Sequence, residues 1–157
     1  MIFDNDIYKF MYEALKEAEI ALEEDEVPVG AVVVFNNRVI GKGRNQVESL
    51  KDPTAHAEIL AITAAANHLN SKVLDDCKLF VTLEPCIMCA GAIVNSKVPE
   101  IYFGAMEPKT GACGTLYDIP HDSRLNFNPI VYSGIYENES KYLLNKFFEQ
   151  KRKNKMK

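Results

Sequence analysis

The feature that most constrains the fold is the alternation, within one short chain, of apolar runs of strand length with segments whose apolar residues recur at helical spacing. V-G-A-V-V-V-F and R-V-I-G-K-G-R flank Asn36-Asn37, two residues that tolerate positive φ, so the spacing predicts an antiparallel hairpin. Its first strand reads as buried on both faces. K-L-F-V-T-L, E-I-Y-F-G-A and P-I-V-Y-S are further strand-length runs. Between them, Ile7, Phe10, Met11, Ala14, Ala18, Ala21 and Leu22 predict a helix from about Asp6 to Leu22, capped by Asp4 or Asn5. An alanine-rich segment predicts a second helix over Ala55 to Leu69, with Asp52 or Thr54 near its start. Pro85 is expected to open a third through Asn95, and a fourth spans about Glu137 to Gln150. Strands alternating with helices require at least one parallel βαβ unit beside the opening hairpin. The fold class is therefore α/β, a mixed sheet with helices on its faces.

At 157 residues, with 47% hydrophobic and 25% charged side chains, the chain suits one compact domain, expected over residues 1–150 and followed by a basic tail at 151–157. No stretch approaches membrane-spanning length, and M-I-F-D-N-D lacks the pattern of a secretion signal. A cytoplasmic protein is expected. The net charge of -4 removes any global attraction to nucleic acid, so such binding needs a local patch. Residues 13–26 are acidic, whereas Lys146, Lys151, Arg152, Lys153, Lys155 and Lys157 make the C-terminal end the candidate polyanion contact. Cys77 and Cys113 read as free thiols of a reducing compartment.

The chemistry lies in T-A-H-A-E and T-L-E-P-C-I-M-C. His56, Cys86 and Cys89 are candidate zinc ligands and Glu58 an acid that is not a ligand. One imidazole and two thiolates leave a fourth tetrahedral position for water, as a catalytic site requires and a structural site does not. Cys86 and Cys89 are spaced to face the same side of a helix, whose positive end favours the thiolate. A zinc neutralised by two thiolates acidifies water less than an all-histidine site does, so a nearby base matters, and Glu58 is placed to be that base. A C-x-x-C alone also fits a redox pair or half of a structural zinc knuckle. The H-A-E string selects catalytic zinc. His68 and His121 have no ligand partners in sequence.

Together the two strings match the zinc-deaminase signature H-x-E followed by P-C-x-x-C. Across nearly the whole chain the sequence resembles bacterial tRNA-specific adenosine deaminases, through E-V-P-V-G-A-V-V-V, N-x-V-I-G-x-G-x-N, D-P-T-A-H-A-E-I, T-L-E-P-C-I-M-C-A-G-A-I and K-T-G-A-x-G. The resemblance implies a three-layer α-β-α cytidine deaminase-like fold of about five strands, a Zn2+ cofactor, and conversion of adenosine to inosine at the wobble position of a tRNA anticodon. It also implies a homodimer and an anticodon stem-loop partner, with an arginine tRNA as the expected species. By the same resemblance Asn45 contacts the target nucleoside, and Val29, Gly30 and Ala31 line its pocket. Glu84 supports the metal loop or the substrate. Glu107, Lys109 and Phe148 face RNA, Phe147 or Phe148 stacking on unstacked bases. Where the family presents Asp in G-A-x-D-x-K, this chain has Glu107 in G-A-M-E-P-K; the acid is kept but lengthened by a methylene. Two other readings compete: a free-base or nucleotide deaminase on the same core, and a non-catalytic RNA-binding subunit. The presence of Glu58 argues against the second.

Overall fold

A computed structural model describes residues 2–157. Helix α1 (Asn5–Glu23) leads to strands β1 (Gly30–Phe35) and β2 (Arg38–Arg44), a short helix α2 (Val47–Leu50) and helix α3 (Ala57–Leu69). Strand β3 (Cys77–Leu83), helix α4 (Ile87–Ser96), strands β4 (Glu100–Ala105) and β5 (Ile130–Tyr132), and helix α5 (Glu137–Lys155) complete the chain. The five strands form one sheet in the order β2-β1-β3-β4-β5.

The hairpin turns as expected, with Asn36 and Asn37 at φ 49° and 62°, the left-handed pair that matches strand twist. β1 pairs antiparallel with β2 and β3, whereas β3, β4 and β5 run parallel. The β3-α4-β4 unit is thus the expected βαβ crossover. β4 reaches β5 through residues 106–129, which hold no helix or strand longer than an isolated bridge.

Strand alternation sorts side chains onto two faces. Val32, Val34, Phe80 and Tyr102 pack against Phe10, Met11 and Ala14 of α1, and α5 joins that layer through Leu143, which packs with Leu15 and Ala18. Ala31, Val33, Leu79, Val81, Ile101 and Phe103 face the other way, toward Ala57, Ala61 and Ala65 of α3 and Ala90 and Ile93 of α4. The result is the three-layer α-β-α arrangement. α3 lies unusually close to its sheet: a Cβ on Gly43 would sit 2.1 Å from the Ala57 carbonyl oxygen. Glycine on β2 and alanine on α3 are what permit this approach.

The α1 cap is as expected: the Asp4 carboxylate accepts the N–H groups of Asp6 and Ile7. Several boundaries differ from the sequence expectation. α3 begins at Ala57, so His56 is its N-cap and lies before the first turn. α4 begins at Ile87 with Cys86 as N-cap, leaving Pro85 outside the helix. S-L-K-D-P-T predicts a turn, yet the four residues of α2 are helical, with the distant Glu26 carboxylate accepting the N–H groups of Glu48 and Ser49. α5 runs on to Lys155, so residues 151–155 continue the helix and do not form a separate tail. Lysine and arginine at its C-terminal end suit the helix dipole. No helix among the described residues is long and apolar enough to cross a membrane.

Candidate active site

The N-terminal ends of α3 and α4 meet beyond the C-terminal end of the central strand β3 and bring His56, Glu58, Cys86 and Cys89 together. The His56 Nδ1 lies 3.6 Å from the Cys86 Sγ and 3.5 Å from the Cys89 Sγ. Their candidate ligand atoms all fall within 4.8 Å of one another, a group able to hold a metal ion. Cys86 and Cys89 occupy the N-cap and third positions of α4, where the side chains of a capping pair approach each other. Neither His56 nor Cys86 caps its own helix through its side chain. Both side chains turn instead toward the shared site.

Charge in this cluster depends on a cation. The Cys86 thiol is held down to about 4 by its hydrogen bond with Cys89, then by its contact with His56, while the bond to Cys86 and burial push Cys89 up. Ionisation of one sulfur thus opposes ionisation of the other. A divalent ion seated among them lets both become thiolates. Glu58 is buried, and desolvation raises its carboxyl to about 7 against the partial opposing effect of its own backbone N–H, the His56 charge and the Cys89 thiol. Such a group can take up and release a proton near neutrality.

His56, Glu58 and Cys86 floor a cavity of about 230 Å³, compatible with one nucleobase, with Cys89 buried beneath it. Val27, Val29 and Asn45 form one wall; Leu83, Glu84, Glu107 and Thr110 form the other. Asn45 is oriented by its surroundings: its Nδ2 donates to the Val27 carbonyl at 3.3 Å and its Oδ1 accepts the Val47 N–H at 3.2 Å. One N–H and one lone pair remain for a ligand. A wider cleft of about 600 Å³ opens alongside, sharing Val27, Asn45 and His56 and reaching Phe147 and Lys151.

The expected lining is corrected in part. Of Val29, Gly30 and Ala31, only Val29 lines the cavity. Gly30 faces α1, where a Cβ would meet the Ala14 carbonyl oxygen at 2.0 Å, and Ala31 is wholly buried in the core beneath α3. Adjacent strand residues point to opposite faces, so three in a row cannot all line one pocket. Lys109 is exposed beyond the cavity, its backbone N–H donating to the Glu107 Oε1 at 2.9 Å. Phe147 is buried and reaches the wider cleft, whereas Phe148 is 47% exposed outside both cavities. Lys151 is already paired with Asp25 at 3.0 Å and lies over the Phe147 ring.

Two residues of structural weight escaped the sequence reading. Glu26, only 2% exposed, accepts the N–H groups of Glu48 and Ser49 at 2.9 and 3.1 Å and the Ser49 hydroxyl. It thereby folds α2 and steadies the Asn45 wall. Thr115 donates to Glu84 through both backbone and hydroxyl. Glu26 ends a run of four acids, Glu23 to Glu26, so neither residue carried a local signal of its partner.

Comparison with known proteins agrees with this geometry. The MafB19-like deaminase family matches residues 5–152. A tRNA-specific adenosine deaminase of Aquifex aeolicus (strain VF5) is 44% identical over 92% of this chain and 95% of its own length. That of Bacillus subtilis (strain 168) is 44% identical over 93% and 91%. A solved structure from studies of A-to-I editing by tRNA:A34 deaminases superposes with a TM-score of 0.84 and 44% identity, covering 87% of this chain and 99% of the other. The sequence, the fold and the cluster at the helix ends thus place this chain in the family of tRNA-specific adenosine deaminases, within the MafB19-like deaminases.

Proposed function

We infer that the protein hydrolyses adenosine to inosine, releasing ammonia, at the wobble position of a tRNA anticodon. The observation that carries this reading is the buried Glu58 beside the His56–Cys86–Cys89 cluster, on the floor of a cavity compatible with one base.

The donor set fits zinc. Two thiolates and an imidazole in tetrahedral array, at ordinary zinc bond lengths, place sulfur about 3.6 Å from nitrogen, and the two separations here are 3.6 and 3.5 Å. His56, Cys86 and Cys89 would hold the ion. When bound, zinc supplies Lewis acidity that makes water a nucleophile near neutral pH. As the water oxygen bonds to C6, Glu58 accepts its two protons in turn, passing one to the ring nitrogen N1 and the other to the amino group, so that the C6–N bond breaks and nitrogen leaves as ammonia. Asn45 offers its free N–H and lone pair to the base edge, while Val27 and Val29 cover its apolar face.

The RNA contacts belong to the same proposal. The wider cleft, lined by Asn45, Phe147 and Lys151 among others, is the proposed path for neighbouring nucleotides, while Glu107 on the other wall of the base cavity and the exposed Lys109 and Phe148 outside both cavities are proposed as further RNA contacts. Phe148, free of the core, is the member of the aromatic pair available to stack on a base. An arginine tRNA is the proposed species, in the cytoplasm, with a single deaminase domain that extends past residue 150 to the end of α5. A homodimer is proposed from the exposed apolar side chains of Ile87, Leu116 and Tyr117 on segments that flank the site; sedimentation of the purified protein tests it.

The decisive experiment offers the zinc-loaded protein an anticodon stem-loop bearing a wobble adenosine, with free adenosine, cytosine and guanine in parallel. Inosine only in the RNA, absent with Glu58→Ala and declining steeply as salt rises, is the expected result. Turnover of a free base with untouched RNA would move the protein to the small-substrate deaminases.

A further inference from the structure

Glu84 ends the approach to Cys86 yet is 3% exposed and turns away from the metal ligands. Its Oε1 accepts the N–H of Glu107 at 3.1 Å and the Thr115 hydroxyl. Its Oε2 accepts the N–H groups of Cys113 and Thr115, each at 3.1 Å. A carboxylate has about four acceptor sites, so these four bonds leave none for a substrate. Glu84 lines the cavity but is neither a free base nor a free ligand.

What it grips is the segment 107–115, which has no helix and no strand beyond an isolated bridge. Backbone contacts secure one part of that segment beside the metal loop, through the Ala112 N–H on the Pro85 carbonyl at 2.8 Å and a bridge between Cys86 and Gly111. The remaining inward amides converge on Glu84. The wrap is tight: a Cβ on Gly111 would lie 2.5 Å from both the Glu84 carboxyl and the Glu107 carbonyl oxygen. The outer edge of this segment, Glu107 and Thr110, is the lip of the cavity. The carboxylate thus joins the metal loop to the wall over the base.

We propose that Glu84 is a positioning residue that sets the Glu107–Thr110 lip over the nucleobase cavity, and through it the affinity for the nucleoside in its RNA context, without taking part in bond making. The proposal rests on the adenosine deaminase reading only for its kinetic part. Glu84→Gln keeps the shape but turns an amide N–H2 toward backbone donors; Thr115→Val removes one hydroxyl donor and leaves the charge.

The test uses the full chain, loaded with zinc for kinetics on the anticodon stem-loop and with cobalt(II) for absorption spectra, and follows amide exchange at Glu107, Cys113 and Thr115. Glu84→Gln should raise KM about tenfold with kcat within about twofold, the signature of lost binding that is common to ground and transition states. Exchange at the three amides should quicken while the cobalt spectrum stays unchanged, and Thr115→Val should move KM and exchange the same way by less. A fall in kcat at constant KM, or an altered cobalt spectrum, would assign Glu84 to the metal centre and overturn the proposal. So would faster exchange with unchanged KM. If the unsubstituted protein leaves the RNA untouched, the substrate reading falls; amide exchange and the cobalt spectrum, which need no substrate, then still decide whether Glu84 holds the lip.

Discussion

Glu58 and Glu84 sit in one cavity, both nearly inaccessible to solvent, and their surroundings differ in what they give a carboxylate. Glu84 receives four hydrogen bonds from one segment; for Glu58 burial outweighs the few groups that favour its charge and lifts its carboxyl to about 7. A saturated carboxylate fixes what surrounds it. An under-satisfied one can exchange a proton. The same side chain thus builds the pocket in one place and does chemistry in another, and the backbone donors supplied nearby decide which.

The largest effect expected from breaking this division is at the metal side. Cys89→Ala or His56→Ala should remove bound metal and bring activity to background, as metal analysis and turnover will register; retained stoichiometric metal would undo the ligand assignment. Glu58→Gln comes next, lowering kcat about 10²- to 10⁴-fold as for a lost proton-transfer group, with metal content intact. Glu84→Leu acts on stability because it strands buried donors: denaturant unfolding of the metal-loaded protein should reveal a loss of about 3 kcal/mol. Equal kinetic damage from Glu58→Gln and Glu84→Gln would erase the distinction between them.

Smaller effects sharpen it. Gly43→Ala pushes a methyl into the Ala57 carbonyl at the start of the helix that carries Glu58, and overpacking of this kind costs about 1–3 kcal/mol; thermal unfolding measures it. Smallest is Phe148→Ala, an exposed change expected to alter stability by less than about 0.5 kcal/mol. A measurable loss of RNA affinity in that variant would mark Phe148 as a stacking residue, and unchanged affinity would remove it from the interface.

Much of this arrangement was legible beforehand, for identifiable reasons. The continuous apolar run V-G-A-V-V-V-F and the Asn36-Asn37 turn specify a hairpin locally, and three- and four-residue spacing specifies α1. The two motif strings carry the metal ligands and the acid because that chemistry needs those residue types, and the spacing of Cys86 and Cys89 brings their sulfurs together within one helical turn. Illegible were features that join distant segments. Nothing near Ser49 announces that Glu26 will cap α2, and nothing near Thr115 announces Glu84. The helix starts at Ala57 and Ile87 each lie two residues beyond the expected Ala55 and Pro85, because the ligands themselves occupy the N-cap positions without capping.

The sequence by itself determined the mixed α/β architecture, the identity of the metal-binding group and the acid beside it, since period and composition express local backbone preference and ligand chemistry. Tertiary structure alone decided which residues face the base. Gly30 left the cavity for α1 and Ala31 for the core, Phe147 was drawn into the protein while Phe148 stayed outside, and Glu84 lost its free lone pairs to a segment beyond β4. Those outcomes depend on which face of a strand meets which layer and which backbone donors arrive from elsewhere, and neither is encoded by a residue's neighbours in the chain.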